Sequence, residues 1–247
     1  MTDIAEHQRQ IEENLRHWQA KPVLRDVYRD FHRLIAKHLS AVDGDTVEIG
    51  SGIGNIQEII PHCVRTDLFP NPWIDRQENV YRLSMTDGSA ANIILFDVFH
   101  HLEYPLDALE ECGRVLRSGG RLLVFDHAMS VAGLFFSKFL HHERPGFFKD
   151  YTLHSPVEID PTSAGYYADH ANAHRILVRR FKELLGVDWR CIAVQRLPAL
   201  KWLCSGGYRG PSLVNARTAP FIEAIDRLAG LVPSFTGLRL LVVLERR

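Results

Sequence analysis

The sequence predicts an α/β fold in which helices cover both faces of a doubly wound, mostly parallel, seven-stranded sheet. Between residues 45 and 127, short apolar and β-branched runs alternate with helical segments, as they do where crossover helices join parallel strands. Two more apolar runs, 189–197 and 238–246, supply the last two strands. The first strand ends in the glycine-rich stretch TVEIGSGIGN (46–55), as expected where such a sheet binds a ligand.

The helices are predicted from apolar spacing and from their start and stop signals. Residues 1–41 contain two helices, because apolar residues recur three and four positions apart. Another helix follows Gly54, and a further one covers 105–116, which opens with a proline and ends before a Gly-Gly pair. Later helices are expected at 172–186 and near 220–231.

The first five strands are predicted from β-branched and apolar runs that end in polar or glycine residues. They lie at 46–50, 63–67, 79–83, 92–97 and 120–126. The segments 128–170 and 198–237 break the alternation of strand and helix and read as insertions.

Composition excludes several classes of protein. The 247 residues include 29 Lys and Arg against 30 Asp and Glu, a formal net charge of -1, which argues against a nucleic-acid partner. The four cysteines show no CxxC spacing, so no metal site or disulfide framework is expected. The N-terminal residues are polar and no apolar run approaches the ~18 residues of a membrane span, so we expect a cytoplasmic protein.

The glycines at the end of the first strand allow a tight turn and a close approach of a ligand to the backbone. The stretch lacks the lysine and hydroxyl of GxxxxGK[ST], which binds nucleotide triphosphates, and the GxGxxG spacing that favours a pyrophosphate. A turn without a ligand is the alternative reading of these glycines.

Asp67 ends the second predicted strand, thirteen residues beyond Gly54. A carboxylate at this place can accept hydrogen bonds from both hydroxyls of a ribose. A capping or turn aspartate is the alternative. Together with the glycine loop, Asp67 indicates a ribose-bearing cofactor that needs no phosphate clamp.

Three blocks of the chain resemble class I S-adenosylmethionine-dependent methyltransferases. They are VEIGSGIGN (47–55), RTD (65–67) and FDVFHHLEYPLDALEECGRVLRSGGRLLVFD (96–126). The resemblance implies an enzyme with a Rossmann-like sheet, an antiparallel last strand and S-adenosyl-L-methionine as its cofactor. It implies one methyltransferase domain over 1–247, with N-terminal helices in 1–44, the cofactor-binding half in 45–127 and the acceptor-side half in 128–247.

The resemblance also implies a set of cofactor-binding residues. Asp67 would bind the ribose, Leu68, Ser84 and Met85 the adenine, and Phe96 and Asp97 the methionine end. The full set is Glu48, Gly50, Ser51, Gly52, Gly54, Asp67, Leu68, Ser84, Met85, Phe96 and Asp97.

A general base is needed only where the methyl acceptor carries a proton of high pKa, such as a sugar hydroxyl. His101 and His127 are the catalytic candidates, because each lies at or just after the carboxyl end of a strand. The competing reading of His100 and His101 is structural, with one imidazole packed against the sheet or capping the next helix. No metal ligand is expected.

The acceptor is expected to be a small molecule or a glycan, methylated at oxygen. The runs YADHANAH (167–174) and LCSGGY (203–208) show a weaker similarity to a bacterial methyltransferase subgroup linked to polysaccharide synthesis. Residues 166–170 could line the acceptor pocket or form a loop. The aromatic segment 129–146 reads as a lid touching a membrane surface or, preferably, as a helix packed on the core or at a homodimer interface.

Two alternatives from other classes stay open. A non-catalytic S-adenosylmethionine-binding scaffold would show the same blocks, because methyl transfer requires no obligatory side chain. A nicotinamide-dependent oxidoreductase shares the doubly wound sheet, but the missing GxGxxG spacing and the methyltransferase-like blocks disfavour it.

Overall fold

The computed structural model describes residues 4–133, 152–159, 167 and 169–247. Within these ranges the strands form one seven-stranded sheet in the order β3-β2-β1-β4-β5-β7-β6. Strands β1 to β5 pair in parallel, and β7 runs antiparallel to both β5 and β6, which confirms the predicted sheet. The strands are β1 Asp45–Ile49, β2 Val64–Asp67, β3 Arg76–Gln77, β4 Ala90–Phe96, β5 Leu116–His127, β6 Trp189–Leu197 and β7 Arg239–Arg246.

The described α-helices confirm the two predicted N-terminal helices and the helix that follows the fourth strand. They are α1 Ile4–Ala20, α2 Pro22–Ala36, α3 Pro105–Val115, α4 Phe181–Leu184, α5 Leu200–Cys204, α6 Ala219–Ala229 and α7 Pro233–Thr236. The predicted helix at 172–186 is a π-helix, Ala173–Arg179, followed by α4. No helix within the described ranges has the length and apolar character needed to cross a bilayer.

Two predicted elements are wrong in position or type. The third strand is the short pair Arg76–Gln77, whereas Asn79 starts a turn in which its side chain accepts a hydrogen bond from the N–H of Tyr81 at 3.0 Å. The expected helix after Gly54 is a single 3₁₀ turn, Asn55–Glu58. Pro61 follows closely, and a proline disfavours helical backbone at the residue before it.

The core lies on both faces of the sheet, because side chains alternate along each strand. In β4, Ile93 and Leu95 pack with α3 and the π-helix, whereas Ile94 and Phe96 pack with α2. The same alternation in β5 and β7 makes these central strands apolar on both faces, as expected for a sheet covered by helices. The carboxyl ends of the parallel strands remain for polar side chains.

We expect the core contact of α2 to be essential to the fold. Leu24 has no exposed surface, so Leu24→Ala should lower the free energy of unfolding by about 2–5 kcal/mol through lost burial and a residual cavity. Urea denaturation followed by circular dichroism measures this change. Arg33→Ala, on the exposed face of the same helix, is the matched control, and equal stability of the two variants would contradict this role of α2.

Candidate functional site

A cavity of about 1100 Å³ lies at the carboxyl ends of β1, β2 and β4, as bounded by the described residues. Its floor is the turn after β1, and one wall comes from α1 through His7, Gln10, Ile11 and Asn14. Further walls are formed by 100–104 and by 206–211, where the Tyr208 hydroxyl accepts a hydrogen bond from Asn55 Nδ2 at 3.2 Å, next to the glycine turn. Pockets for small ligands usually measure roughly 300–1,000 Å³, so a cavity of this size can hold a sizeable small molecule.

The glycine turn after β1 presents backbone to this cavity. Gly50, Ser51 and Gly52 line it. Gly52 has φ of 52°, and among the described residues a Cβ placed there would meet Ile11 Cδ1 alone, at 3.7 Å, so these residues leave space above Gly52 for a ligand. Gly54 is not among the lining residues, and a Cβ there would lie 2.6 Å from the carbonyl oxygen of Trp73. Its lack of a side chain therefore serves packing, not direct contact with a ligand.

Asp67, at the end of β2, lies against the glycine turn that follows β1. The main-chain N–H of Gly52 donates to Asp67 Oδ2 at 3.0 Å, and His7 Nε2 lies 3.7 Å from Oδ1. Burial raises the pKa of Asp67, while the nearby His7 opposes that shift. The carboxylate lines the cavity and keeps acceptor capacity for a ligand.

Glu48 lies beneath the turn and is 3% exposed. Its Oε2 atom has no hydrogen-bond partner among the described residues, and burial raises its pKa to about 7. Ser51 locks the turn to β2, because its Oγ accepts from the N–H of Thr66 at 3.1 Å while its own N–H donates to the carbonyl of Thr66 at 2.8 Å.

The far end of the cavity differs from the expected adenine site. Leu68 lines the cavity, but Ser84 and Met85 do not, and Met85 packs into the core. The main-chain N–H of Ser84 donates to Glu78 Oε2 at 2.8 Å, so the residue is turned towards the acid. Because the chain turns after β3, residues 78–81 line the cavity in their place.

Phe96 and Asp97 line the cavity at the end of β4. The Phe96 ring stacks on Phe125 with centroids 4.8 Å apart. Asp97 has φ of 56°, a strained conformation for a residue other than glycine, and such strain is often stored at functional sites.

Arg239, the first residue of β7, forms an ion pair with Asp97. The sequence alone did not identify Arg239 as a site residue. Arg239 is 1% exposed, its Nη2 donates to Asp97 Oδ1, and its guanidinium lies 4.8 Å from the Phe125 ring centroid. The only sequence signal for it was a charged residue at the start of an apolar strand.

His100 is held by the buried acid at the end of β5. Its Nδ1 lies 2.9 Å from Asp126 Oδ1, and Asp126 also accepts from the main-chain N–H groups of His100 and His127. Burial alone would raise the pKa of Asp126, but the His100 imidazole and these hydrogen bonds lower it to about 2. Since Asp126 is ionised, the His100 proton lies on Nδ1.

His101 has a different anchor. Its Nδ1 lies 2.9 Å from the carbonyl oxygen of Tyr167, which can only accept, so Nδ1 carries a proton. In the neutral ring, Nε2 is then the acceptor. His101 and His127 both line the cavity.

Part of the expected acceptor side lies outside the described residues, namely Tyr166 and most of the aromatic segment 129–146. Tyr167 lines the cavity, while Asp169 and His170 are fully buried behind it.

Comparison with family models matches residues 47–124 to one described as a methyltransferase domain. Comparison with curated protein sequences gives no match.

Solved structures share the fold at low identity. A possible histamine N-methyltransferase from Thermotoga maritima is 16% identical over the whole of both chains, with a TM-score of 0.57. A methyltransferase from Archaeoglobus fulgidus is 14% identical over 90% of this chain and 94% of its own, with a TM-score of 0.50. Geranyl diphosphate C-methyltransferase from Streptomyces coelicolor is 14% identical over 88% and 77% of the two chains, also with a TM-score of 0.50.

The buried Glu48 gives the protein a characteristic dependence on pH. Its pKa is about 7 in the folded protein against 4.5 in the unfolded chain, so folding favours the protonated form. The contribution of protonated Glu48 to the free energy of unfolding is complete below pH 4.5 and is lost as the pH rises to 7, a change of about 3 kcal/mol. Glu48→Gln should remove this decline in the free energy of unfolding.

Chemical denaturation of both proteins at pH 5 and pH 8 measures the difference. Glu58→Gln, a half-exposed acid on the neighbouring 3₁₀ turn, is the control and should keep the slope of the unaltered protein. If the free energies of unfolding of Glu48→Gln and of the unaltered protein change with pH in parallel, burial does not raise the pKa of Glu48 and the prediction is wrong.

Proposed function

We propose that this chain is a class I S-adenosylmethionine-dependent methyltransferase that transfers the methyl group to a hydroxyl oxygen of a small-molecule or glycan acceptor. The observation that carries the proposal is the contact between Gly52 and Asp67 at one end of a cavity whose other end is lined by histidines. Cofactor and acceptor would share this cavity.

The residues present fit S-adenosylmethionine. Asp67 has a carboxylate available to the ribose hydroxyls, and the open space over Gly52 lets a ligand lie along the main chain. Asp97 and Glu48 line the same cavity, and their carboxyl oxygens can accept hydrogen bonds from an ammonium group. When bound, the cofactor supplies a methyl group activated by a sulfonium.

The sheet order favours this cofactor over a nicotinamide. Dinucleotide-binding sheets commonly have the order 3-2-1-4-5-6 with a GxGxxG turn. Here an antiparallel β7 lies between β5 and β6, and the turn reads GSGIGN. Neither feature matches a dinucleotide site.

The choice of oxygen as the methylated atom rests on His101. Its protonated Nδ1 donates to the Tyr167 carbonyl, which fixes the ring and leaves Nε2 to receive the proton of an acceptor hydroxyl. His127 borders the same part of the cavity and would position the acceptor. The chain otherwise aligns the reactants.

We also assign the protein to a reducing, cytoplasmic compartment. Cys63, Cys112, Cys191 and Cys204 are all free thiols, as is usual where disulfides are not maintained.

Asp67→Asn tests cofactor binding. The change keeps the shape but removes the charge that strengthens hydrogen bonds to ribose hydroxyls, so affinity for S-adenosylmethionine and S-adenosylhomocysteine should fall about 10- to 100-fold. Calorimetric titration measures both affinities, with NAD as a third ligand. Asp43→Asn, exposed and just before β1, makes the same charge change away from the cavity and should bind normally. Tight binding of NAD alone would refute the proposal.

His101→Gln tests the assignment of the base. A screen of hydroxylated small molecules and glycans with labelled methyl donor identifies an acceptor. The variant should then lower kcat by about 10²- to 10⁴-fold with unchanged affinity for S-adenosylhomocysteine. His62→Gln, an exposed histidine, is the control. Full activity of His101→Gln would remove His101 as the base, and donor binding without transfer to any acceptor would favour the scaffold alternative.

A further inference from the structure

Three buried histidines from different parts of the chain meet at the wall of the cavity. His100 lies in the 3₁₀ turn after β4, His127 ends β5, and His170 precedes the π-helix. Their exposed fractions are 4%, 7% and 0%. One ring nitrogen from each lies within 4.8 Å of the others. The imidazoles of His127 and His170 stack with centroids 4.3 Å apart, and His100 meets both edge-on at 4.9 and 5.0 Å.

The orientation of His100 is that of a typical metal-ligating histidine. Such a histidine usually donates one ring N–H to a carboxylate, which fixes the tautomer and directs the other nitrogen to the ion. His100 Nδ1 makes this contact with Asp126 at 2.9 Å. Asp126 is itself fixed by the main-chain N–H groups of His100 and His127, so the acid holds two of the three histidines in register.

The charge around the cluster also favours a divalent cation. Asp97 and Asp126 each offer a carboxylate oxygen within 4.8 Å of the ring nitrogens of His100 and His127. Arg239 pairs with Asp97 and compensates one of these negative charges. Asp126 supplies the second carboxylate, with its Oδ1 2.9 Å from His100 Nδ1.

We propose that His100, His127 and His170 form a binding site for a divalent transition-metal ion of the zinc class, with Asp126 as the residue that orients His100. Imidazole nitrogens suit zinc, cobalt, nickel and copper, whereas magnesium and calcium prefer oxygen ligands. Around a tetrahedral ion with bonds of about 2.0 Å, ligand nitrogens lie about 3.3 Å apart. Metal binding would therefore bring the three ring nitrogens closer together and would turn the stacked His127 and His170 rings until both in-plane lone pairs point at the ion.

Three histidine ligands leave a tetrahedral ion one open position. His100 and His127 both line the cavity, so that position would face the acceptor end. There the ion would bind the acceptor oxygen and make its hydroxyl proton easier to lose. This role rests on the proposed function, whereas the site itself stands on the histidine geometry alone.

A second group, Asp107, Glu110 and His154, provides an internal comparison. Its ligand atoms also lie within 4.8 Å of one another, but Glu110 and His154 are exposed on the surface at α3. Exposed groups of this kind usually bind ions weakly, because no buried framework holds them.

The test is a Co²⁺ titration of the full chain after treatment with a chelator. We expect one Co²⁺ per chain, with the visible absorption of tetrahedral nitrogen coordination. His170→Ala should weaken Co²⁺ binding at least tenfold, and Asp126→Asn about 10- to 100-fold, since it disorients a ligand without removing one. His62→Ala and His154→Ala should bind Co²⁺ like the unaltered protein. S-adenosylhomocysteine affinity, measured in parallel, reports whether each variant is folded.

Absence of the absorption band in the unaltered protein, or its loss in His154→Ala and not in His170→Ala, would overturn the proposal. If the unaltered protein does not bind S-adenosylhomocysteine, the proposed function is refuted, whereas the result on metal binding is unaffected. If His170→Ala does not fold, X-ray absorption of the zinc-loaded unaltered protein decides. Imidazole nitrogens at about 2.0 Å support the site, and oxygen ligands alone refute it.

Discussion

The hydrogen bond from the Gly52 N–H to Asp67 is the contact on which the cavity depends. It joins the turn after β1 to the end of β2, so the bare main chain and the carboxylate face the same ligand. Ser51 reinforces the joint through its two bonds to Thr66. Without these contacts, the turns that follow the parallel strands β1 and β2 could move apart. The carboxylate therefore has a structural part even before any ribose binds it.

A second set of buried charges joins the end of β4 to β5 and β7. Asp126 ties the turn after β4 to the end of β5, and the Asp97–Arg239 pair ties β4 to β7. Buried charges are costly unless they are paired and hydrogen-bonded, so these contacts hold the strand ends in fixed relative positions. The strained backbone of Asp97 shows that this arrangement is maintained against local conformational preference.

The sequence predicted the sheet because short apolar strands alternate with helices, and it placed the glycine turn and Asp67 at the ends of two successive strands. It misplaced the third strand at 79–83, where the Asn79 side chain instead accepts a hydrogen bond from the N–H of Tyr81 in a turn. It included His170 in the stretch 166–170 considered for the acceptor pocket, but it could not find the contact of His170 with His127 or of Arg239 with Asp97, because strand order and an insertion create these contacts. Long-range contacts of this kind carry no periodic signal.

The N-terminal helices connect two walls of the cavity. His7 and Ile11 of α1 lie over Asp67 and Gly52, while Lys21, at the junction with α2, donates to the carbonyls of Gly207 and Gly210. The helix that covers Gly52 and Asp67 is thus bonded, through Lys21, to the segment 206–211 of the same cavity. Any displacement of this junction would alter both walls together. Residues outside the matched stretch 47–124 therefore shape the cavity in which we propose that cofactor and acceptor bind.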